Sequence, residues 1–151
     1  MTDSPGTVLV VGATGSIGRL VVAEAISQGY ATRALVRDPN KGRQLPADAQ
    51  LVVGDVTRPD TLAAAVDGVD AVVLTLGSDG AGKAGAETVD YGGVRNILAA
   101  VGTRPVRVAL MTSIGVTNRA GATRPALPAA LDAQDSNNLP PAGEPRRIVT
   151  I

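Results

Sequence analysis

The chain has 151 residues, enough for one ordinary domain that buries roughly 70% of its unfolded surface. It contains no cysteine and no histidine, which excludes disulfides, thiolate nucleophiles, Ser-His-Asp triads and the common zinc sites, so no metal site is expected. The 14 basic and 14 acidic residues cancel, and Tyr30 and Tyr91 are the only aromatics, so neither a phosphate-tracking stripe nor a base-stacking platform exists and nucleic acid is not an expected partner.

The opening, "MTDSPGT", lacks a charged segment followed by an apolar one, and no stretch approaches the roughly 18 apolar residues of a membrane span. The expectation is a cytoplasmic protein without a membrane partner. From Thr7 onward, short β-branched runs alternate with helical patterns. "TVLVVG" reads as a strand and "SIGRLVVAEAISQG" as a helix starting near Ser16; "ATRALVR" and "AQLVVGD" follow as strands. Then come a helix in "PDTLAAAVDG", a strand in "DAVVLTLG", a helix in "AETVDYGGVRNILAAVG" and a fifth strand in "VRVALMTSIG". Near-continuous apolar strands suit a parallel sheet covered on both faces, and right-handed crossovers make it doubly wound, so the expected class is α/β. Gly29 and Gly102 stand just past their helices, and Pro59 suits the first turn of its own.

After about Gly115, "VTNRAGATRPALPAALDAQDSNNLPPAGEPRR" holds five of the ten prolines and no sustained period. It reads as irregular, with a short helix allowed around "PAALDAQ" and a strand in the final "RRIVTI". A sheet that stops at strand five leaves an apolar edge that invites pairing. Ile148, Val149, Thr150 and Ile151 offer a β-forming segment, expected either as an intramolecular sixth strand or as one exchanged in a homodimer, with the homodimer ranked first.

The first crossover carries the main motif. Gly12, Gly15 and Gly18 are three residues apart, between a strand and a helix, where glycines let the backbone turn tightly and approach a ligand closely. N–H groups at a helix N-terminus, with roughly half a positive charge behind them, then face a pyrophosphate. Thr14 and Ser16 add hydroxyls, Ile17 belongs to the same loop, and Gly18 lets the helix pack near the sheet. A dinucleotide cofactor is the expected partner.

"VVGATGSIGR", "LVRDPNKG", "VVGDVTRPDTLAAAVDGVDAVV", "VDYGGVRNILAA" and "ALMTSIGVTN", in that order, resemble the atypical short-chain dehydrogenase/reductase relatives of the NmrA-like, NAD(P)H-binding type. The resemblance spans residues 7 to about 118. It implies a Rossmann fold with core strand order 3-2-1-4-5 and a nicotinamide cofactor across the carboxyl ends of the strands. Residues 1–118 would then be the NAD(P)-binding domain and 119–151 an irregular Pro-rich tail. Relatives continue beyond "SIGVTN" through substrate-side elements, whereas this chain reads as passing almost directly to a tail like theirs, as though strands six and seven and a substrate lid were deleted.

Residue by residue, the resemblance puts Arg37 in the place of the arginine that meets the NADP 2'-phosphate, with Lys41 and Arg43 nearby. Asp38 competes, because an acidic residue at this strand end accepts from the NAD ribose. NADP(H) is the preferred cofactor and NAD(H) the alternative. In "GDV", the Asp55 carboxylate would accept from the adenine amino group and the Val56 N–H would meet a ring nitrogen; Asp55 as a turn cap is the other reading. Leu74, Thr75, Leu76 and Gly77 would pass beneath the nicotinamide ribose, although core and turn formation also account for them.

Catalysis is less well supplied. Ser113 matches the serine that orients the substrate carbonyl, and is equally a strand-end hydrogen-bonding residue. The Tyr-x-x-x-Lys acid of short-chain dehydrogenases is absent: the tyrosines are Tyr30 and Tyr91, the lysines Lys41 and Lys83, and Tyr91 reads as a packing residue. Two functions are therefore expected: an NADP(H)-dependent oxidoreductase acting on a small carbonyl, quinone or flavin-like acceptor, or a non-catalytic dinucleotide-binding module or redox sensor.

Overall fold

The structure is a computed structural model and describes residues 5–77, 81–111 and 148–150. Its strands are β1 (Thr7–Val11), β2 (Ala31–Val36), β3 (Gln50–Val53), β4 (Ala71–Leu74), β5 (Arg107–Leu110) and β6 (Ile148–Thr150). All pair in parallel, in the order β3-β2-β1-β4-β5-β6. The expected core order 3-2-1-4-5 is present. The terminal segment pairs with β5 of its own chain, Val108 opposite Ile148 and Leu110 opposite Thr150, which is the intramolecular form of the two arrangements the sequence allowed.

Parallel strands buried on both faces must send alternate side chains into two separate cores. Leu9, Val11, Leu35, Val72, Leu74 and Val108 point to one face, where α3 (Ala63–Val66) and the long helix α5 (Gly92–Val101) cover them with Ala65, Val66, Val94, Ile97 and Val101. Val8, Val10, Ala34 and Val36 point to the other, under Val22 of α1 (Gly18–Ser27) and Leu45. The sheet is therefore doubly wound. Burying each Val, Leu or Ile side chain contributes about 1.5–3 kcal/mol, so this alternation is the main driving force for the fold.

Helix boundaries follow local chemistry. The short α2 (Pro39–Gly42), which the strand-to-strand reading of this stretch passed over, starts with Pro39 at its first position, and the Asp38 carboxylate accepts the Asn40 N–H at 2.9 Å. Gly29 ends α1 at φ 84°, with its N–H bonded to the Ile26 carbonyl and the Tyr30 N–H to that of Ala25, the paired closure a left-handed residue permits. Pro59 opens a short 3-10 turn (Pro59–Thr61) ahead of α3. The last helical region begins earlier than its sequence period suggests: α4 (Gly82–Gly85) runs through a π-helical stretch (Ala86–Tyr91) into α5, which ends at Gly102, φ 65°.

The amino-terminal edge of the sheet is tied by arginines. Arg33 of β2 reaches the carbonyls of Ala65 and Asp67 at the end of α3, at 3.1 and 2.6 Å. Arg104 bonds the Val66 carbonyl at 2.8 Å and those of Ala100 and Val101 at the end of α5. Cationic donors there satisfy carbonyls that have no partner within the helix and complement its dipole. Among the described residues no helix is long and apolar enough to cross a membrane.

Candidate functional site

At the carboxyl edge the chemistry is the reverse. β1 ends at Val11, and Gly12 turns the chain at φ 83°, with the Gly15 N–H closing back on the Gly12 carbonyl at 3.0 Å. A Cβ on Gly12 would sit 2.7 Å from the Thr75 carbonyl oxygen. A Cβ on Gly18 would collide with the Gly12 carbonyl oxygen, so Gly18 lets α1 press against the loop that precedes it. Gly15 differs: its nearest protein atom would be 3.3 Å away, and it is exposed together with Thr14, Ser16 and Ile17. Gly15 is therefore the least crowded of the three, at the solvent face of the loop.

α1 begins at Gly18, two residues later than Ser16 suggested, with Ile17 as its N-cap. No side chain caps it and its first turn holds no acidic residue; the Arg19 N–H bonds the Gly15 carbonyl and the Leu20 and Val21 N–H groups bond that of Ile17, so the N–H groups left without an acceptor among the described residues are those of Ser16, Ile17 and Gly18, at the positive end of the helix dipole.

The end of β4 supports the loop from below. The Thr75 N–H donates to the Val11 carbonyl, and its buried hydroxyl donates to the same oxygen at 2.9 Å. Thr75 thus holds β1 to β4 at the point where the glycine loop departs. Leu74 is fully buried in the core, Leu76 packs against that core half-buried, and Gly77 is exposed with open space around it. Of the four residues expected beneath the ribose, Leu74 and Leu76 serve the core, the other account the sequence offered, and Thr75 ties two strands together.

Beside the loop, the ends of β2 and β3 bring Arg37 and Asp55 together. Arg37 is exposed, as are Lys41 and Arg43, while Asp38 is engaged in capping α2. The Asp55 carboxyl is held below its ordinary value: the Thr57 N–H bonds its Oδ1 at 2.8 Å, burial opposes this, and the Thr57 hydroxyl, also at 2.8 Å, with the Arg37 and Arg58 charges after it, keeps the balance downward. The turn-capping role is present, and it uses one carboxylate oxygen. The Thr61 hydroxyl accepts the Asp55 N–H at 2.9 Å and donates to the Arg58 carbonyl at 2.7 Å. Val56 is buried, and its carbonyl accepts Nδ2 of Asn96 at 2.7 Å. Its own N–H has no acceptor among the described residues.

Thr61 and Asn96 were missed by the sequence reading. Their signal was faint: each follows a charged residue, Asn96 after Arg95 and Thr61 after Asp60, and reads as part of a solvated face. Ser113 lies outside the described residues. Tyr91 is half-buried at the end of the π-helical stretch, while Tyr30 precedes β2, at the opposite edge of the sheet from the loop.

A family model described as NAD(P)H-binding matches residues 12–136. The chain is 33% identical over 109 residues to the photosystem II assembly factor Ycf39 of Cyanophora paradoxa, an alignment covering 72% of this chain and 34% of that protein. It is 40% identical over 126 residues to divinyl chlorophyllide a 8-vinyl-reductase of Zea mays, covering 75% and 31% respectively. Among solved structures, a short-chain dehydrogenase/reductase superfamily protein from Agrobacterium tumefaciens with bound NAD matches with TM-score 0.57 and 29% identity, over 71% of this chain and 32% of that one. The chain spans about a third or less of the length of the curated relatives it matches.

Proposed function

The chain belongs to the NAD(P)H-binding family, and from that premise we propose that it binds NADP(H) in preference to NAD(H) and serves as an oxidoreductase of the atypical short-chain dehydrogenase/reductase, NmrA-like kind. The observation that carries this reading is the cradle. Gly12 and Gly18 admit no Cβ because backbone is packed against them, whereas Gly15 is exposed, with only the Gly12 carbonyl oxygen near it, beside a helix N-terminus that no side chain caps. A pyrophosphate fits the N–H groups of Ser16, Ile17 and Gly18, which have no acceptor among the described residues. Arg37, exposed at the end of β2 beside Lys41 and Arg43, would take the 2'-phosphate, which favours NADP(H), while Asp38 spends one carboxylate oxygen on capping α2. Asp55 and Val56 would hold the adenine. When bound, the nicotinamide supplies hydride for a small carbonyl, quinone or flavin-like acceptor; the chain's own residues bind, orient and shield it.

A second reading, a non-catalytic dinucleotide-binding module or redox sensor, is favoured by one observation: neither tyrosine has a lysine at the spacing of the usual proton donor. The relative Ycf39 is named as an assembly factor, the Zea mays relative as a reductase, and each supports one reading.

Paired titrations with NADPH and NADH test the common part. Tighter binding of NADPH is expected, and a chain that binds neither overturns both readings. Steady NADPH oxidation with any of the acceptor classes supports the oxidoreductase, and its absence across all of them supports the module.

A further inference from the structure

One turn of α5 is devoted to a single residue of the β3 exit loop. Asn96 donates Nδ2 to the Val56 carbonyl at 2.7 Å, a contact between residues 40 apart in the chain. One turn earlier, Gly93 lies against the same residue: a Cβ there would come within 2.8 Å of Val56 Cγ2 and 3.1 Å of Leu76 Cδ1. The helix thus presents a gap for the Val56 side chain and a donor for its backbone.

The bonded carbonyl belongs to the Val56–Thr57 peptide. The N–H of that peptide is the Thr57 donor that bonds the Asp55 carboxylate at 2.8 Å. A chain of hydrogen bonds therefore runs from the Asn96 amide, through one peptide unit, to a carboxylate at the cofactor edge, and each bond polarises the next. Rotation of that peptide would disturb both the Asp55 carboxylate and the adjoining Val56 N–H.

We propose that Asn96, seated by Gly93, is a positioning residue that sets the base selectivity of the dinucleotide site by fixing the direction of the Asp55 carboxylate. The inference rests on the dinucleotide reading given above. Adenine offers an amino donor to that carboxylate, whereas hypoxanthine offers a carbonyl, which a fixed carboxylate repels.

The test compares NADPH with its analogue carrying hypoxanthine in place of adenine, by direct titration of the chain. The unaltered protein should prefer the adenine form by roughly tenfold or more. Asn96→Leu, which keeps the volume and loses the donor, should bring the two affinities within about threefold. Gly93→Ala, which presses on Val56, should move the ratio in the same direction, and it carries the test if Asn96→Leu does not fold. Arg104→Ala, at the far end of α5, should lower the melting temperature and leave the ratio unchanged. Binding of neither form defeats the dinucleotide reading itself. Binding without base preference, or a preference kept by Asn96→Leu and Gly93→Ala, overturns the positioning role alone.

Discussion

The hydroxyl of Thr75 donates to the carbonyl of Val11 at 2.9 Å, joining the last turn of β4 to the last residue of β1 immediately before the glycine loop. Thr75→Val keeps the shape and loses the donor, so it should destabilise by about 1 kcal/mol, lowering the melting temperature by about 2–4 °C. NADPH affinity should fall several-fold as the loop loosens. Unchanged melting and binding would show that the backbone N–H of Thr75 suffices.

Gly18 and Gly15 should separate stability from binding. Gly18→Ala forces a Cβ into the Gly12 carbonyl and should cost about 1–3 kcal/mol as well as binding. Gly15→Val meets only the Gly12 carbonyl oxygen, at 3.3 Å from its Cβ, so it should lose less stability than Gly18→Ala and bind no dinucleotide. Calorimetry and titration on the two variants check this contrast.

Arg37→Ala should weaken NADPH by roughly ten- to a hundredfold, the worth of a charge-assisted bond of about 1.5–3 kcal/mol, and barely affect NADH. Asp38→Ala should act differently. Loss of the cap on α2 costs about 1 kcal/mol of stability and leaves the ratio of the two affinities where it was. Equal losses of NADPH and NADH in Arg37→Ala would mean that Arg37 does not read the phosphate.

Asp55 gives a pH signature. Its carboxyl is depressed below 3.8 in the folded chain by the Thr57 bonds first and by Arg37 and Arg58 after them. A depressed carboxyl contributes stability that is present above its unfolded value and is lost as pH falls through the folded value. The melting-temperature gap between the unaltered chain and Asp55→Asn should therefore be constant from neutral pH down to about 5 and close below about 4. A gap that instead opens on acidification would contradict the assigned bonds.

Ending the chain at Arg147 removes β6 and exposes the unpaired edge of β5. A lower melting temperature is expected, with self-association visible by light scattering. If both chains are monomers with the same melting temperature, β6 adds nothing to the sheet.

How much of this was readable beforehand divides along sequence separation. β1 to β5 and the glycine loop announce themselves through aliphatic runs punctuated by glycine and proline, which are local signals. Four-residue α2 has no room for a helical period, although Asp38-Pro39 is the very pair that caps and opens it. Ser16 suggested the start of α1, but Ile17 occupies the cap, where its carbonyl accepts the Leu20 and Val21 N–H groups and no side-chain oxygen takes part. Thr75 and Asn96 take their meaning from partners 64 and 40 residues away, and nothing in their own neighbourhoods marks them.

The arginines at the amino edge of the sheet have a wider consequence. Arg33 and Arg104 fasten the ends of α3 and α5 there, whereas the opposite edge mixes packed residues, Gly12, Gly18, Val56 and Thr75, with exposed ones, Gly15, Arg37 and Gly77. The domain therefore has a chassis end and a working end, and tolerance to change should follow the strand axis. The exposed positions at the carboxyl edge, Gly15, Arg37 and Gly77, can be exchanged to re-aim the site at another ligand while the packed ones beside them keep the sheet assembled. An exchange at the amino edge undoes the fastening before any ligand is met.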